Sequence, residues 1–351
     1  MEELLRNWDG ENLIVTYDRP AKTWIIIAVH STVLGPAVGG TRMKTYTDLG
    51  EAVLDAQRLA AGMTYKWAAA GSDMGGGKAV LFVPEEMTGD DRTALLERYG
   101  DLVQKLRGLF MTGPDLGTSV ADMDVIGQRA PSYIFGRSTA FGGAGDPAPF
   151  TALGVFTAIE VTAKQLFSET SVREKRVVIQ GAGSVGRNLA RMLSEAGAEV
   201  LFTDVDESAV QYGRDELGLT FIPTDEVYDV QCDIFAPCAI GGIISASTID
   251  RLNCRAVVGG ANNQLVKPED AANLRARGIL YAPDFVANCG GAVAITGIET
   301  TGWTREQAAE KVRKSVRENL LKIYELSSSQ DISTDQAACL LAEMRLAKSE
   351  H

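Results

Sequence analysis

Lys66 and Lys78 stand twelve residues apart in Gly-Met-Thr-Tyr-Lys66-Trp-Ala-Ala-Ala-Gly-Ser-Asp-Met-Gly-Gly-Gly-Lys78, the second closing a run of three glycines. Glycine has no Cβ, so the chain before Lys78 lets backbone come close to a ligand. Two ammonium groups at one small cleft invite a carboxylate, and each lowers the other's pKa. A lysine tuned in this way exchanges protons near neutral pH. The pattern suits chemistry on an amino or keto acid, given a separate source of redox power. Plainer explanations stand beside it. Lys66 also reads as a solvated lysine at a helix end, and Asp115, in Thr112-Gly-Pro-Asp115-Leu-Gly-Thr118, as a turn or capping residue.

The redox half lies further along. Arg176 to Gln180 reads as a short buried strand, and Gly181-Ala182-Gly183-Ser184-Val185-Gly186 follows at once. Val185, Leu189, Met192 and Leu193 then recur at helical spacing until Gly197, and Glu199 to Thr203 is a second strand ending in Asp204. In this setting the first glycine makes the tight turn, the second admits a pyrophosphate, and the third lets helix meet strand. The pyrophosphate sits at the helix N-terminus, where free N–H groups favour negative charge. Asp204, 23 residues after Gly181, can accept both ribose hydroxyls and would repel a 2′-phosphate, which favours NAD over NADP. Its plainer reading is a cap for a helix starting near Asp206.

These residues need elements to hold them. Thr23 to Val29 reads as a strand, followed by a turn-rich stretch from Leu34 to Arg42. Asp48 and Glu51 form a capping box for a helix whose apolar face is Leu49, Ala52, Val53, Ala56, Leu59, Ala60 and Met63. The glycines at 75–77 read as a break before a strand from Lys78 to Val83, and a second amphipathic helix runs from Thr93 to Leu106. Thr112 to Thr118 reads as a loop. Gly142-Gly-Ala-Gly-Asp-Pro-Ala-Pro149 reads as a hinge. Beyond it, strands at Leu201–Thr203, Cys232–Ala236, Ala256–Val258 and Ile279–Tyr281 alternate with helices, the pattern of a mostly parallel sheet. Long helices follow from about Thr304 to Leu326 and from about Asp335 to Ala347. The expected fold is α/β with two domains separated by a cleft. Residues 1–149 form an N-terminal α/β substrate domain, on which a C-terminal helical stretch, 328–351, folds back; residues 150–327 form a Rossmann NAD-binding domain.

Composition narrows the function classes. With 34 basic against 46 acidic residues, a net charge of −12 argues against nucleic acid or an anionic membrane as partner. No stretch approaches the roughly 20 apolar residues of a membrane span, and Met-Glu-Glu-Leu-Leu-Arg has no signal-peptide pattern, so a cytoplasmic protein is expected. Five cysteines without a C-x-x-C or Cys/His cluster signal neither disulfide framework nor metal site. The two histidines are His30, in a strand, and His351, at the C-terminus, so acid–base work falls to lysine and aspartate. This disfavours a hydroxy-acid dehydrogenase with a histidine base; a non-catalytic NAD-binding protein, the other alternative, would have no need to keep Lys66, Lys78 and Asp115 together.

Gly-Met-Thr-Tyr-Lys66, Gly-Gly-Gly-Lys78, Thr112-Gly-Pro-Asp115, Ala148-Pro-Phe-Thr151, Phe235-Ala-Pro-Cys-Ala239, Gly260-Ala-Asn262-Asn263 and Tyr281-Ala-Pro-Asp-Phe-Val occur in one order over nearly the whole chain. In this it resembles the glutamate/leucine/phenylalanine/valine dehydrogenase family. The resemblance implies that Lys66 holds the substrate carboxylate, Lys78 activates the water that attacks an imine carbon, and Asp115 moves protons at the substrate amino group. It further implies Gly39, Gly40, Met63, Gly113, Pro114, Asn262, Ala292 and Ile295 around the substrate, with Arg42 and Thr151 toward the nicotinamide. Val205, Ala239, Ile240, Ala261 and Asn263 would border NAD beyond the fingerprint and Asp204. The activity it implies is NAD-dependent reversible oxidative deamination of an L-amino acid to a 2-oxo acid and ammonia, by a homo-oligomer, with domain closure excluding water. Gly113 and Ala292 stand where leucine-preferring relatives carry larger residues, so the phenylalanine-preferring branch is the best match, with leucine or other branched-chain amino acids and tryptophan as alternatives. Val38 and Trp67 depart from the family's usual residues, and Val38 could narrow the side-chain pocket. An N-terminal strand at Asn12 to Asp18 is the expected subunit contact.

Overall fold

The computed structural model describes residues 2–169 and 171–349, so His351 lies outside the described residues. They fall into two compact units, the first being the described residues of Met1–Asp146, Ile295–Trp303 and Ala342–His351. A short helix α1 (Glu2–Arg6) precedes β1 (Asn12–Asp18), β2 (Thr23–Ser31), β3 (Ala37–Lys44), α2 (Leu49–Ala70), β4 (Gly75–Phe82), α3 (Gly89–Lys105), β5 (Phe110–Pro114) and α4 (Val120–Arg129). The sheet order is β1-β2-β4-β3-β5; β1, β2 and β4 run antiparallel in turn, and β3 lies parallel to both β4 and β5. Strand alternation separates two buried faces. Ile25, Ile27, Val29, Leu81 and Phe110 meet Leu95, Tyr99, Met123 and Ile126 on one side. Ile26, Ala28 and Val80 meet Ala52, Val53, Ala56 and Ala60 of α2 on the other.

Three stretches that read as loops are strand. The glycines at 75–77 lie inside β4, the central strand, and Gly39 and Gly40 lie inside β3. Thr112 to Pro114 ends β5, so Asp115 begins the turn that follows. The physical reason is close approach: a Cβ on Gly76 would stand 2.0 Å from Thr64 Oγ1 and 2.2 Å from the Thr64 nitrogen on α2. The cap of α2 also differs in detail. Asp48 accepts from the Glu51 N–H at 3.0 Å, but the Glu51 carboxylate reaches back to the Thr47 N–H at 2.9 Å, one residue short of a reciprocal box. α2 continues past Lys66 to Ala70, closed by Gly71 in the left-handed region, so Lys66 lies within the helix and not at its end.

The second unit is Pro147–Ala294 with Thr304–Leu341. Its elements are α5 (Ala148–Phe167), β6 (Arg176–Gln180), α6 (Ser184–Glu195), β7 (Glu199–Thr203), α7 (Glu207–Asp215), β8 (Thr220–Phe221), β9 (Ile234–Pro237), α8 (Ala246–Ile249), β10 (Ala256–Val257), α9 (Glu269–Ala276), β11 (Leu280–Tyr281) and α10 (Asp284–Ala287). The strands are parallel throughout, in the order β11-β10-β9-β6-β7-β8. Chain direction across the sheet reverses between β6 and β9, the switch point where a doubly wound sheet binds its ligand. α11 (Gly290–Thr301) runs from the second unit into the first. α12 (Arg305–Gln330) opens with a capping box of Thr304 and Gln307 and is tied to α5 by the hydroxyls of Tyr324 and Thr162, 2.7 Å apart. At the end of α13 (Thr334–Ser349), Arg345 donates to the carbonyls of Trp67 and Ala68 and to Asp73. Among the described residues no helix is long and apolar enough to cross a membrane.

Candidate active site

Four charged side chains from separate elements of the first unit alternate in sign. Lys78 Nζ lies 3.1 Å from Asp115 Oδ2, and Arg42 Nε donates to that same oxygen at 2.9 Å. Arg42 Nη1 donates to Asp55 Oδ2 at 3.0 Å. Lys78 is buried in mid-strand, its side chain 5% exposed. Asp115 is fixed by its own turn: its N–H donates to Thr118 Oγ1 at 2.9 Å, and that hydroxyl lies 2.8 Å from the Thr41 carbonyl. The bare Cα of Gly40 makes room for the pair, since a Cβ there would stand 2.7 Å from Asp115 Cβ and 3.4 Å from Lys78 Nζ.

This geometry tunes both groups. Burial pulls the Lys78 ammonium below the ordinary lysine value; the Asp115 charge opposes that and Arg42 adds to it. Arg42 is thus a positive neighbour that helps lower Lys78. Burial by itself would raise the Asp115 carboxyl, but the charges of Lys78 and Arg42 outweigh it and hold the group below the usual carboxylate range. The site therefore holds an ionised carboxylate next to an amine that gives up its proton more easily than a surface lysine.

Other predicted substrate residues gather nearby. Met63 Cγ would stand 3.2 Å from a Cβ on Gly39, and Lys66, half-buried, follows on α2 one turn later on the same side. Trp67 Nε1 donates to the Val38 carbonyl at 2.9 Å, so the two residues that depart from the family pattern bind each other and fasten the last turns of α2 to β3. Gly113 pairs with Gly40, and Pro114 and Ile295 both flank Gly136.

In the second unit the fingerprint residues take three distinct positions. Gly181 has φ 101°, and a Cβ there would stand 2.6 Å from Ala239 Cβ. A Cβ on Gly186 would stand 1.9 Å from the Gly181 carbonyl oxygen, while one on Gly183 would meet nothing within 4 Å. The first and third glycines are thus needed by the fold, and the second leaves space at the N-terminus of α6, where Ser184 and Val185 open the helix. Asp204 Oδ2 accepts from the Ala182 N–H at 2.6 Å and Oδ1 from the Asp206 N–H at 2.9 Å. Asp204 is not a helix cap; Asp206 caps α7. Val205 (90% exposed) and Ile240 (71%) project at the ends of β7 and β9, two large apolar side chains open to a ligand. The space, the helix terminus and the acid fit an adenine dinucleotide. Ala261 donates its N–H to the Pro237 carbonyl at 2.9 Å, and the Asn263 carbonyl, at a residue with φ 52°, accepts from Gly242 at 2.7 Å. Asn262 Oδ1 accepts from Asn288 Nδ2 at 2.8 Å, which leaves its NH2 as the group for a ligand. A Cβ on Gly291, next to Ala292, would stand 2.4 Å from Thr151 Oγ1.

The family described as Glutamate/Leucine/Phenylalanine/Valine dehydrogenase matches residues 142–217 and 202–351, and the Glu/Leu/Phe/Val dehydrogenase dimerisation domain matches 22–131. The chain belongs to this family of amino acid dehydrogenases. It is 40% identical over 344 residues to a leucine dehydrogenase of Thermoactinomyces intermedius, covering 98% of this chain and 93% of that one. It is 41% identical over 333 residues to a phenylalanine dehydrogenase of Lysinibacillus sphaericus, covering 93% and 86%. The crystal structure of an L-tryptophan dehydrogenase from Nostoc punctiforme superposes with a TM-score of 0.84 at 35% identity, covering 100% and 99%.

Asp55 and Tyr46, which the sequence did not single out, complete the charge row. Tyr46 donates to Asp55 Oδ2 at 2.8 Å and Arg58 Nη2 donates to Oδ1 at 3.2 Å, so Asp55 anchors the far end of the charge row. No local signal marks Asp55, which reads as one more polar residue on an amphipathic helix. The buried hydroxyls of Thr41, Tyr99 and Thr112, linked at 2.8 and 2.7 Å, were likewise silent; they tie β3 and β5 to α3 beneath the site.

Proposed function

We propose that the chain catalyses NAD-dependent, reversible oxidative deamination of an L-amino acid, L-phenylalanine foremost, to the 2-oxo acid and ammonia. The observation that carries this reading is the buried Lys78 sharing Asp115 Oδ2 with Arg42. Lys66 takes the substrate carboxylate by a charge-assisted contact. Asp115, ionised, receives the α-ammonium and draws off a proton, so the nitrogen lone pair can form the iminium as the α-hydrogen departs. NAD, held at the N-terminus of α6 and by Asp204, would supply the hydride acceptor. Lys78, as the free amine, takes a proton from the water that adds to the iminium carbon. The carbinolamine then loses its C–N bond, giving the carbonyl of the oxo acid and ammonia. The chain's contribution is placement and proton transfer at stated atoms, which its low-dielectric setting strengthens.

Side-chain preference is supported by room. Gly113 has no need of a glycine backbone, and a Cβ there would first meet the Phe135 carbonyl oxygen at 3.4 Å. The missing methyl at Gly113 is what supports a larger, ring-bearing side chain. In a panel of phenylalanine, tyrosine, tryptophan, leucine and valine at alkaline pH, phenylalanine is expected to give the highest kcat/KM. Gly113→Ala should move the phenylalanine-to-leucine ratio of kcat/KM toward leucine by about tenfold, the scale set by one methyl group in an apolar pocket. A parent enzyme that turns over leucine or valine faster than phenylalanine overturns the preference, and one that oxidises no amino acid overturns the activity.

A homo-oligomer accompanies this reading. β1 is an edge strand whose Val15 and Tyr17 are exposed, a surface suited to pairing with a second copy. Light scattering is expected to give a multiple of the chain mass; a monomer rejects the proposal.

A further inference from the structure

The geometry points to Asp55 as a positioning residue for the deamination chemistry: it holds Arg42 so that Arg42 Nε meets Asp115 Oδ2, the oxygen shared with Lys78. This rests on the proposed function above. The guanidinium is a rigid planar fork, so anchoring Nη1 on Asp55 at 3.0 Å also sets where Nε points, 2.9 Å from Asp115. Asp55 is itself held from two sides, by the Tyr46 hydroxyl on Oδ2 at 2.8 Å and by Arg58 on Oδ1 at 3.2 Å. Its side chain is 12% exposed and that of Arg42 18%, so water screens this contact poorly.

Asp115 after β5 and Arg42 on β3 face Lys78 directly, and Lys66 is half-buried on α2; behind the pair lie Asp55 and Arg58 on α2 and the Tyr46 hydroxyl after β3. Lys78, Asp115, Arg42 and Asp55 together are neutral when ionised. Without the Asp55 charge the row carries a net positive charge. Asp115 alone then balances both Arg42 and Lys78, the ammonium is less favoured, and Lys78 becomes the free amine at a lower pH. A carboxylate that only fastened α2 to β3 would leave that titration where it was.

The test is Asp55→Asn in the full-length enzyme, followed by the pH profile of amino acid oxidation. The expected result is a fall in kcat of about tenfold, on the scale of one charge-assisted hydrogen bond, with a smaller change in the KM of the amino acid. The alkaline-rising limb of kcat should move toward acid by about half a pH unit or more. Asp55→Glu keeps the charge and should leave the limb at the parent position. An Asp55→Asn limb that superimposes on the parent's overturns the assignment, whatever happens to Tm. Should that variant fail to fold, Tyr46→Phe takes its place, since it removes only a hydroxyl that holds Asp55. A fall in kcat of about threefold with KM unchanged is then expected, and an unchanged kcat overturns the assignment. A parent that oxidises no amino acid defeats the proposed function instead, a result distinct from either.

Discussion

Lys78→Ala is expected to lower kcat for amino acid oxidation by about 10⁴-fold or more while the Kd for NADH stays within about twofold. The size follows from where the amine sits. Lys78 Nζ is buried within 3.1 Å of Asp115, and the remaining cation of the row, Arg42, stays protonated and cannot accept a proton from water. Water attack then loses its base outright. Stability should change little, because removing a buried ammonium relieves its desolvation while Arg42 still neutralises Asp115. Tm measured alongside kcat separates chemistry from folding, and NADH fluorescence titration reports on the second unit independently. A small primary alkylamine added to the variant should restore part of the rate. Undiminished turnover in Lys78→Ala would remove this lysine from the mechanism.

What the sequence disclosed depended on how local each signal was. The fingerprint at Gly181 to Gly186 lies between a strand and a helix only residues apart, and its turn, its open position and its tight helix contact sit where the spacing put them. The glycines at 39–40 and 75–77 misled for a physical reason. Locally glycine signals a break, but here it marks strands against which other groups press, and those groups, Thr64 on α2 and Asp115 after β5, come from elsewhere in the chain. Lys78 and Asp115 stood out because glycines and a proline bracket them. Asp55 did not, since its meaning arises only when β3 turns Arg42 toward α2. Arg42 was expected toward the nicotinamide, and the structure gives its Nε to Asp115, beside Lys78, and its Nη1 to Asp55.

The paired substitutions Gly183→Ala and Gly186→Ala are expected to part folding from cofactor affinity within four residues of chain. At Gly186 the new methyl would stand 1.9 Å from the Gly181 carbonyl oxygen, a backbone atom that moves only if the whole turn moves. Overpacking of this kind costs about 3 kcal/mol. For a unit of this size that is a fall in Tm of about 6–12 °C. NADH binding should fail with it, because α6 and the turn before it are held by the same contact. At Gly183, φ is −68° and the methyl would meet no protein atom within 4 Å. The stability loss should stay under about 1 kcal/mol, the preference for glycine over alanine at an N-cap. The methyl would nonetheless occupy the space left for a pyrophosphate at the helix N-terminus, so the Kd for NADH should rise at least tenfold, about 1.4 kcal/mol. Melting curves and NADH titrations on both variants give four numbers, and only one pattern fits: Gly186→Ala loses stability and binding, Gly183→Ala loses binding alone. A Gly183→Ala protein that binds NADH like the parent would show that the open position at the start of α6 does not receive the phosphates.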